Sequence, residues 1–403
     1  MLPQYCIKTP PWRTNSPLEH LMSILISKGI SAKIVGGAVR DAITGTFSQR
    51  TDIDLAIDVP PEEVQKKLKN FRTIPTGISH GTLTVLIETQ TFEITSLRRD
   101  ISTDGRHATV EYTKDFLEDA KRRDFTINAL YADFDGKVYD PLNQGLKDLT
   151  ALRIRFVGNS EERIKEDFLR IVRFFRFMGY FKSVKIYKED LKIARELSHN
   201  LNQISKERLW GELQKIISSP FPINTIEALI QNDIMKHVCR GEWDLDNLKK
   251  INDWLPHIPD TLFTVLSVGY KSNFTTFPLP IPSKLRHSLC KNQKLDLEFS
   301  PQTMYRMGKE AYKDQFISSY IQTYPFTQLD YETLLNTLRK IDSWQFPTFP
   351  LSGNTLLEKG VIPGRKMGEM LKYLENWWID KDFKPTKVEC LRELEKSYGA
   401  KLH

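Results

Sequence analysis

Apolar positions along this chain change their period near residue 150. Before that point they form short β-rich runs at 32–35, 53–57, 82–87, 91–97 and 127–134, separated by turns, which predicts a mixed α/β domain. After it the apolar spacing becomes helical, in segments 164–177, 206–217, 223–231, 331–344 and 366–378. Proline-rich breaks at 220–222, 278–282 and 347–350 mark boundaries, and neither an internal repeat nor a low-complexity tract interrupts the pattern. A chain of 403 residues is too long for one compact domain, so two to four are expected.

Charge divides along the same line. Residues 1–150 hold 19 Lys and Arg against 20 Asp and Glu, leaving 39 against 31 for the rest of the chain, out of totals of 58 and 51. The basic surplus therefore lies wholly outside the α/β part, as a polyanion gripped by the helical part would require. Cys6, Cys239, Cys290 and Cys390 have no paired spacing, which implies neither a disulfide framework nor a zinc motif and points to a reducing cytoplasm. No apolar stretch approaches the length of about 18 residues that a membrane span needs, and the amino terminus lacks a signal-peptide core.

The chemistry concentrates between residues 34 and 54. Gly36 and Gly37 end an apolar strand and allow a tight turn with close approach to a ligand. A helix opening over 38–43 would point unpaired N–H groups at an anion, with Arg40 in its first turn as a charge-assisted donor to phosphate oxygens. Alone, Gly-Gly before a helix is an ordinary connection, and its spacing matches neither the dinucleotide fingerprint nor the P-loop. Asp52 and Asp54 change that weighing: at i and i+2 of a strand they share a face, and two parallel carboxylates on an apolar strand call for a hard cation. A phosphate-sized turn beside such a pair fits phosphoryl or nucleotidyl transfer.

With these features and the 122–129 run Arg-Arg-Asp-Phe-Thr-Ile-Asn-Ala, the chain resembles the class II tRNA nucleotidyltransferases, the CCA-adding enzymes and their bacterial poly(A) polymerase relatives. The resemblance covers residues 30–215 with specific motifs and the remainder more loosely, through Leu351-Ser352-Gly353 and Pro363-Gly364-x-x-x-Gly368. It implies an α+β protein: a nucleotidyltransferase head (1–150), a helical neck (151–220), a helical body (221–346) and a helical tail (347–403), the last two binding tRNA. Glu166, Asp167, Arg170 and Arg173 match the family's base-reading motif, and Arg176 extends the row. As a bare helix, Glu166 with Arg170 would be a routine i, i+4 pair. By resemblance Asp167 accepts from the exocyclic amine of cytosine or adenine and Arg170 donates to the adjoining ring nitrogen, a pattern that guanine and uracil reverse.

The same resemblance gives Arg123 the triphosphate and Asp124 the ribose hydroxyl. It also makes the segment through Asp100, Gly105 and Arg106 a flexible loop that helps the pocket switch from cytidine to adenosine. Glu93 is a candidate third carboxylate, and His80 reads as structural. No histidine precedes an Asp, so a fused metal-phosphohydrolase domain is not expected. The expectation is a monomeric enzyme that uses Mg2+ held by Asp52 and Asp54 to add C, C and A to tRNA from CTP and ATP. The rivals are a poly(A) polymerase, an enzyme adding only part of CCA, and a non-catalytic RNA-binding protein.

Overall fold

Eight strands meet in one sheet, in the order Tyr5–Cys6, Lys137–Tyr139, Tyr131–Ala132, Ala32–Val35, Asp54–Ile57, Gln90–Ser96, Thr82–Ile87 and Arg72–Gly77. This is a computed structural model, and it describes residues 1–48, 51–77, 81–103, 108–252, 261–290, 295–324 and 328–399. The neighbours in this sheet are antiparallel except Asp54–Ile57 and Gln90–Ser96, which run parallel with Asp54 opposite Glu93. The central strands are apolar on both faces, and Ile34, Leu55, Val85 and Ile94 are essentially inaccessible. The helix Ser16–Ser27 is capped by the Asn15 side chain, which accepts from Leu18 N at 3.0 Å. It buries Leu18, Leu21, Met22 and Leu25, at about 1.5 to 3 kcal/mol for each such side chain.

Three expectations are corrected here. The strand predicted over 53–57 begins at Asp54, so Asp52 lies just ahead of it rather than within it. The run 127–134 is not one strand but a 3-10 turn at Thr126–Asn128 followed by the short strand Tyr131–Ala132. Asp124 causes the turn: its Oδ1 accepts from Phe125 N at 2.8 Å and from Asn128 Nδ2 at 3.2 Å, local bonds that compete with a ladder. The helix predicted over 164–177 is two, Ser160–Glu166 and Leu169–Met178, broken where Asp167 takes an extended conformation.

The chain divides into two compact units, Met1–Gly241 with Pro278–Pro280, and Glu242–Phe277 with the residues from Ile281 onward. Head and neck thus share a unit, and its end lies beyond the expected break at 220. The reason is packing: Lys206–Ile217 and Pro222–Gln231 both lie against Leu169–Met178, with Ile171, Leu213, Ile216 and Ile226 fully buried. The second unit is helical, and Leu356, Leu374, Trp378, Cys390 and Leu394 form one of its cores. There Thr386 and Glu389 make a reciprocal capping box at the start of Lys387–Tyr398. Among the described residues no helix is long and apolar enough to cross a membrane.

Candidate active site

Gly36 ends the strand Ala32–Val35 with φ +73°, a conformation open to glycine, and its N–H donates to Leu130 O at 3.0 Å. A Cβ at this position would stand 3.6 Å from Asn128 O and 3.8 Å from Arg123 Nη1, so the turn passes directly beneath an arginine. The helix expected over 38–43 runs Gly37–Thr44, opening one residue earlier at Gly37. Arg40, by contrast, is a buried strut: it donates to Asp41 Oδ1 and Asn128 Oδ1, each at 2.8 Å, and its guanidinium sits over the rings of Phe177 and Tyr180. The cation beside the turn is Arg123, whereas Arg40 is held by protein partners.

Asp54 is half-buried and Asp52 exposed. Burial, then the charges of Glu93 and Asp52, push the Asp54 carboxyl up to about 6, with Arg123 opposing. A group of carboxylates that raise each other's affinity for protons is also one that a divalent cation would neutralise, so the donor set fits such an ion. Among the described residues no group of three or more His, Cys, Asp or Glu side chains is arranged to hold a metal ion.

The arginines of the 122–124 turn are held by Asp119, which lies one helical turn upstream on Phe116–Lys121 and is 1% exposed. Its Oδ2 accepts from Arg123 Nη2 at 2.9 Å and from the Tyr131 hydroxyl at 2.6 Å, and its Oδ1 from Arg122 Nε at 2.8 Å. Burial alone would raise the Asp119 carboxyl, but Arg123, Arg122 and the Tyr131 hydroxyl hold it well below the usual range. Asp124 is likewise buried and held low by Arg173, whose Nε donates to Asp124 Oδ2 at 2.8 Å.

A cavity of about 260 Å³ joins this turn to the broken helix. Arg122, Arg123, Arg170, Arg173 and Arg208 line it with Asp124 and Asp167, a cationic lining tempered from behind by Asp119, Glu166 and Glu212, which pair with four of the arginines. Asp167 serves as local cap, with Oδ1 accepting from Leu169 N at 3.1 Å, while Oδ2 accepts from Arg208 Nη2 at 2.7 Å. Arg170 donates to Glu166 Oε2 at 2.5 Å and to the Arg163 carbonyl at 2.9 Å. Arg176 does not line this cavity: it is buried and paired with Glu212 at 2.7 Å.

Sequence reasoning missed Asp119, Tyr131, Asn128, Arg208 and Glu212. Asp119 carries a signal, being three and four residues before the two arginines that follow the end of its helix. Arg208 and Glu212 reach Asp167 and Arg176 across 41 and 36 residues, which no local pattern encodes. Gly105, Arg106 and His80 lie outside the described residues, whereas Asp100 falls on the first strand of the hairpin Arg98–Thr103 with Ala108–Tyr112.

A mixed sheet that presents a glycine turn, adjoining carboxylates and an arginine-lined cavity defines a nucleotidyltransferase. The family described as "Poly A polymerase head domain" matches residues 32–155, and "Probable RNA and SrmB- binding site of polymerase A" matches 184–241. The chain is 31% identical to "CCA tRNA nucleotidyltransferase 1, mitochondrial" of Homo sapiens over 94% of its own length and 90% of the relative's. It is 32% identical to the "CCA-adding enzyme" of Ligilactobacillus salivarius over 86% and 88%. Its fold is that of the Bacillus stearothermophilus CCA-adding enzyme solved with CTP, at a TM-score of 0.71 and 22% identity over 96% of this chain and 98% of that one. The chain belongs to the CCA tRNA nucleotidyltransferase family and is an enzyme of that class.

Proposed function

We propose that this enzyme builds the C, C and A of the tRNA 3′ end in sequence, from CTP and ATP, releasing pyrophosphate at each step. The observation that carries this reading is the single cavity in which Arg123 and Asp124 of the head face Asp167, Arg170 and Arg173 of the neck. The triphosphate lies against Arg123, held by Asp119 above the Gly36 turn, and the ribose hydroxyl reaches Asp124. The base meets Asp167 as acceptor and Arg170 as donor, and guanine or uracil, with the reverse pattern, leaves both unpaired, at about 1 to 2 kcal/mol each. Arg208 Nη2, 2.7 Å from Asp167 Oδ2, holds that carboxylate in place beside the cavity.

Asp52 and Asp54, with Glu93 as third carboxylate, would hold divalent cations, Mg2+ in our reading, which when bound lower the pKa of the RNA 3′-hydroxyl and neutralise the α-phosphate. The protein's own contribution is positioning and charge neutralisation, with no side-chain nucleophile. Beyond the head, where the basic surplus lies, the body to 346 and the tail to the end are read as the grip on tRNA, with the neck to 220 carrying the base-reading helix. Four free cysteines support a reducing compartment such as the cytoplasm.

Primer extension tests the proposal. Transcripts ending before CCA, after C and after CC should accept C, C and A respectively and then stop. Serial addition of A to all three would make the enzyme a poly(A) polymerase. Arrest after CC would make it a partial enzyme.

A further inference from the structure

The sheet face that carries Asp54 continues well past it. Residues paired across neighbouring strands share a face, and one such row runs Tyr131, Val35, Asp54, Glu93, Thr84, Ile74. Arg123 stands at the Tyr131 end of this row. Its Nε donates to the Tyr131 hydroxyl at 3.1 Å, and Gly36, the residue after Val35, passes beneath its Nη1. The Ile74 end points the other way. At about 4.8 Å between strands, Thr84 stands about 10 Å and Ile74 about 14 Å from Asp54.

The two ends differ in cover. Toward Arg123 the face is roofed, with Val35, Ala56, Ala129 and Tyr131 buried in one cluster with Ala120 of the helix Phe116–Lys121. Beyond Asp54 it opens: Glu93 and Thr91 are exposed, Leu86 and Thr95 half-buried, and Ile74 is 39% exposed. The reverse side of these strands is closed, with Leu83, Val85, Ile87, Phe92 and Ile94 buried and the helix Ser16–Ser27 packed against Thr82–Ile87. On the open side Leu86 is the diagonal neighbour of Ile74, and it pairs in the ladder with Arg72, which is exposed and joins no ion pair among the described residues. None of Arg72, Ile74 and Leu86 lines the nucleotide cavity. Together they make a shelf of two chemistries, an apolar surface for a sugar or base and a fork of donors for a phosphate.

Nucleotidyl transfer decides which substrate can lie there. The 3′-oxygen of the RNA bonds to the α-phosphorus, its proton passing to solvent, as the bond from that phosphorus to pyrophosphate breaks. Attacking and leaving oxygens stand in line on opposite sides of the phosphorus. Pyrophosphate leaves on the Arg123 side, so with the α-phosphate at Asp54 the 3′-oxygen arrives from the side of Glu93. We propose that the 3′-terminal nucleotide of the RNA rests on this shelf, its ribose and base against Ile74 and Leu86 and its 5′-phosphate on Arg72. The proposal rests on the nucleotidyl transfer read above and deepens it by naming positioning residues for the acceptor strand.

Two measurements on the full chain test it. In the first, a tRNA transcript ending before CCA, with 4-thiouridine as its last nucleotide, is bound and irradiated, and the crosslinked peptide is mapped. Adducts should fall within 71–77 or 82–91; their absence from both segments, with adducts confined to the helices Ser160–Glu166 and Leu169–Met178 for example, would overturn the shelf. In the second, Arg72→Ala/Ile74→Ser, at two exposed sites, should lower kcat for C addition about tenfold to a hundredfold, as a misplaced reacting atom does, with KM for CTP within about twofold and the melting midpoint unchanged. Arg72→Lys/Ile74→Val keeps a cation and a branched apolar chain and should restore most of the rate. Arg72→Ala alone should lower the log-log salt slope of kcat/KM for tRNA by about 0.7, the value for one single-strand phosphate. Wild-type kcat in the Ala/Ser double variant would overturn the proposal, and so would a rise in KM for CTP, which would give the shelf to the incoming nucleotide instead. The crosslink needs binding and no turnover. A wild-type chain that extends no tRNA therefore refutes the function read above, whereas active enzyme with adducts elsewhere refutes the shelf alone.

Discussion

Asp119→Asn isolates the support beneath the nucleotide cavity. The carboxylate is 1% exposed and accepts from Arg122, Arg123 and Tyr131. Removing one partner of a buried ion pair costs about 3 to 5 kcal/mol, because a buried charge is left uncompensated. Asparagine keeps one acceptor oxygen, and the arginine side chains are 15% and 18% exposed, so solvent recovers part of the loss and about 2 to 4 kcal/mol is expected. At about 2 to 4 °C per kcal/mol for a unit of this size, the melting midpoint should fall by about 4 to 16 °C. Asp119 is held below the ordinary carboxylate range, so its contribution is present above about pH 4 and lost in acid. The gap between wild type and variant should therefore close as the pH of the melt is lowered. At permissive temperature the released Arg123 should raise KM for CTP and ATP alike, since triphosphate contact does not depend on the base. A variant with a midpoint within 2 °C of wild type and unaltered KM values would refute the account.

Other outcomes follow from the same geometry. Asp52→Ala or Asp54→Ala should abolish addition of C and of A while leaving tRNA affinity nearly intact; more than a few per cent of activity in either would count against the metal assignment. Asp167→Ala/Arg170→Ala should lower the ratio of kcat/KM for CTP over UTP by about 2 to 4 kcal/mol, and Arg170→Lys should be nearly as damaging because an ammonium lacks the planar fork. In metal-free protein Asp54→Asn should raise the melting midpoint at pH 7.5, since a carboxyl pushed up to about 6 destabilises the fold once ionised. That gain should vanish below about pH 4, where both side chains are neutral, and should shrink on adding divalent cation.

The parts of this molecule legible in its sequence are those fixed by local physics. Period-two and helical spacing located the central strands and the helices Lys206–Ile217 and Arg365–Asp380, because burial of one face leaves its period in the chain. The hairpin Arg98–Thr103 with Ala108–Tyr112 went unread, its first strand too polar to signal one. The helix broke at Asp167 because a carboxylate that caps Leu169 N and pairs with Arg208 outweighs propensity, and Arg208 is a tertiary partner. Arg40 was legible as a cation at a glycine turn, but its direction was not, since Asn128, Phe177 and Tyr180 capture it from distant segments.

The bond between Arg173 and Asp124 joins the sheet domain to the helix Leu169–Met178, which also carries Arg170, proposed to read the base, so two jobs would hang on one helix. A lineage drifting toward another nucleotide preference by reshaping this helix would at the same moment loosen the joint between its two domains. Change of preference is then open only to descendants that first acquire a spare cross-brace, or that alter the pocket through residues outside the joint, such as Arg208. Selection for a stable hinge-free joint would by itself keep the nucleotide choice of this enzyme conservative, even where selection on that choice were relaxed.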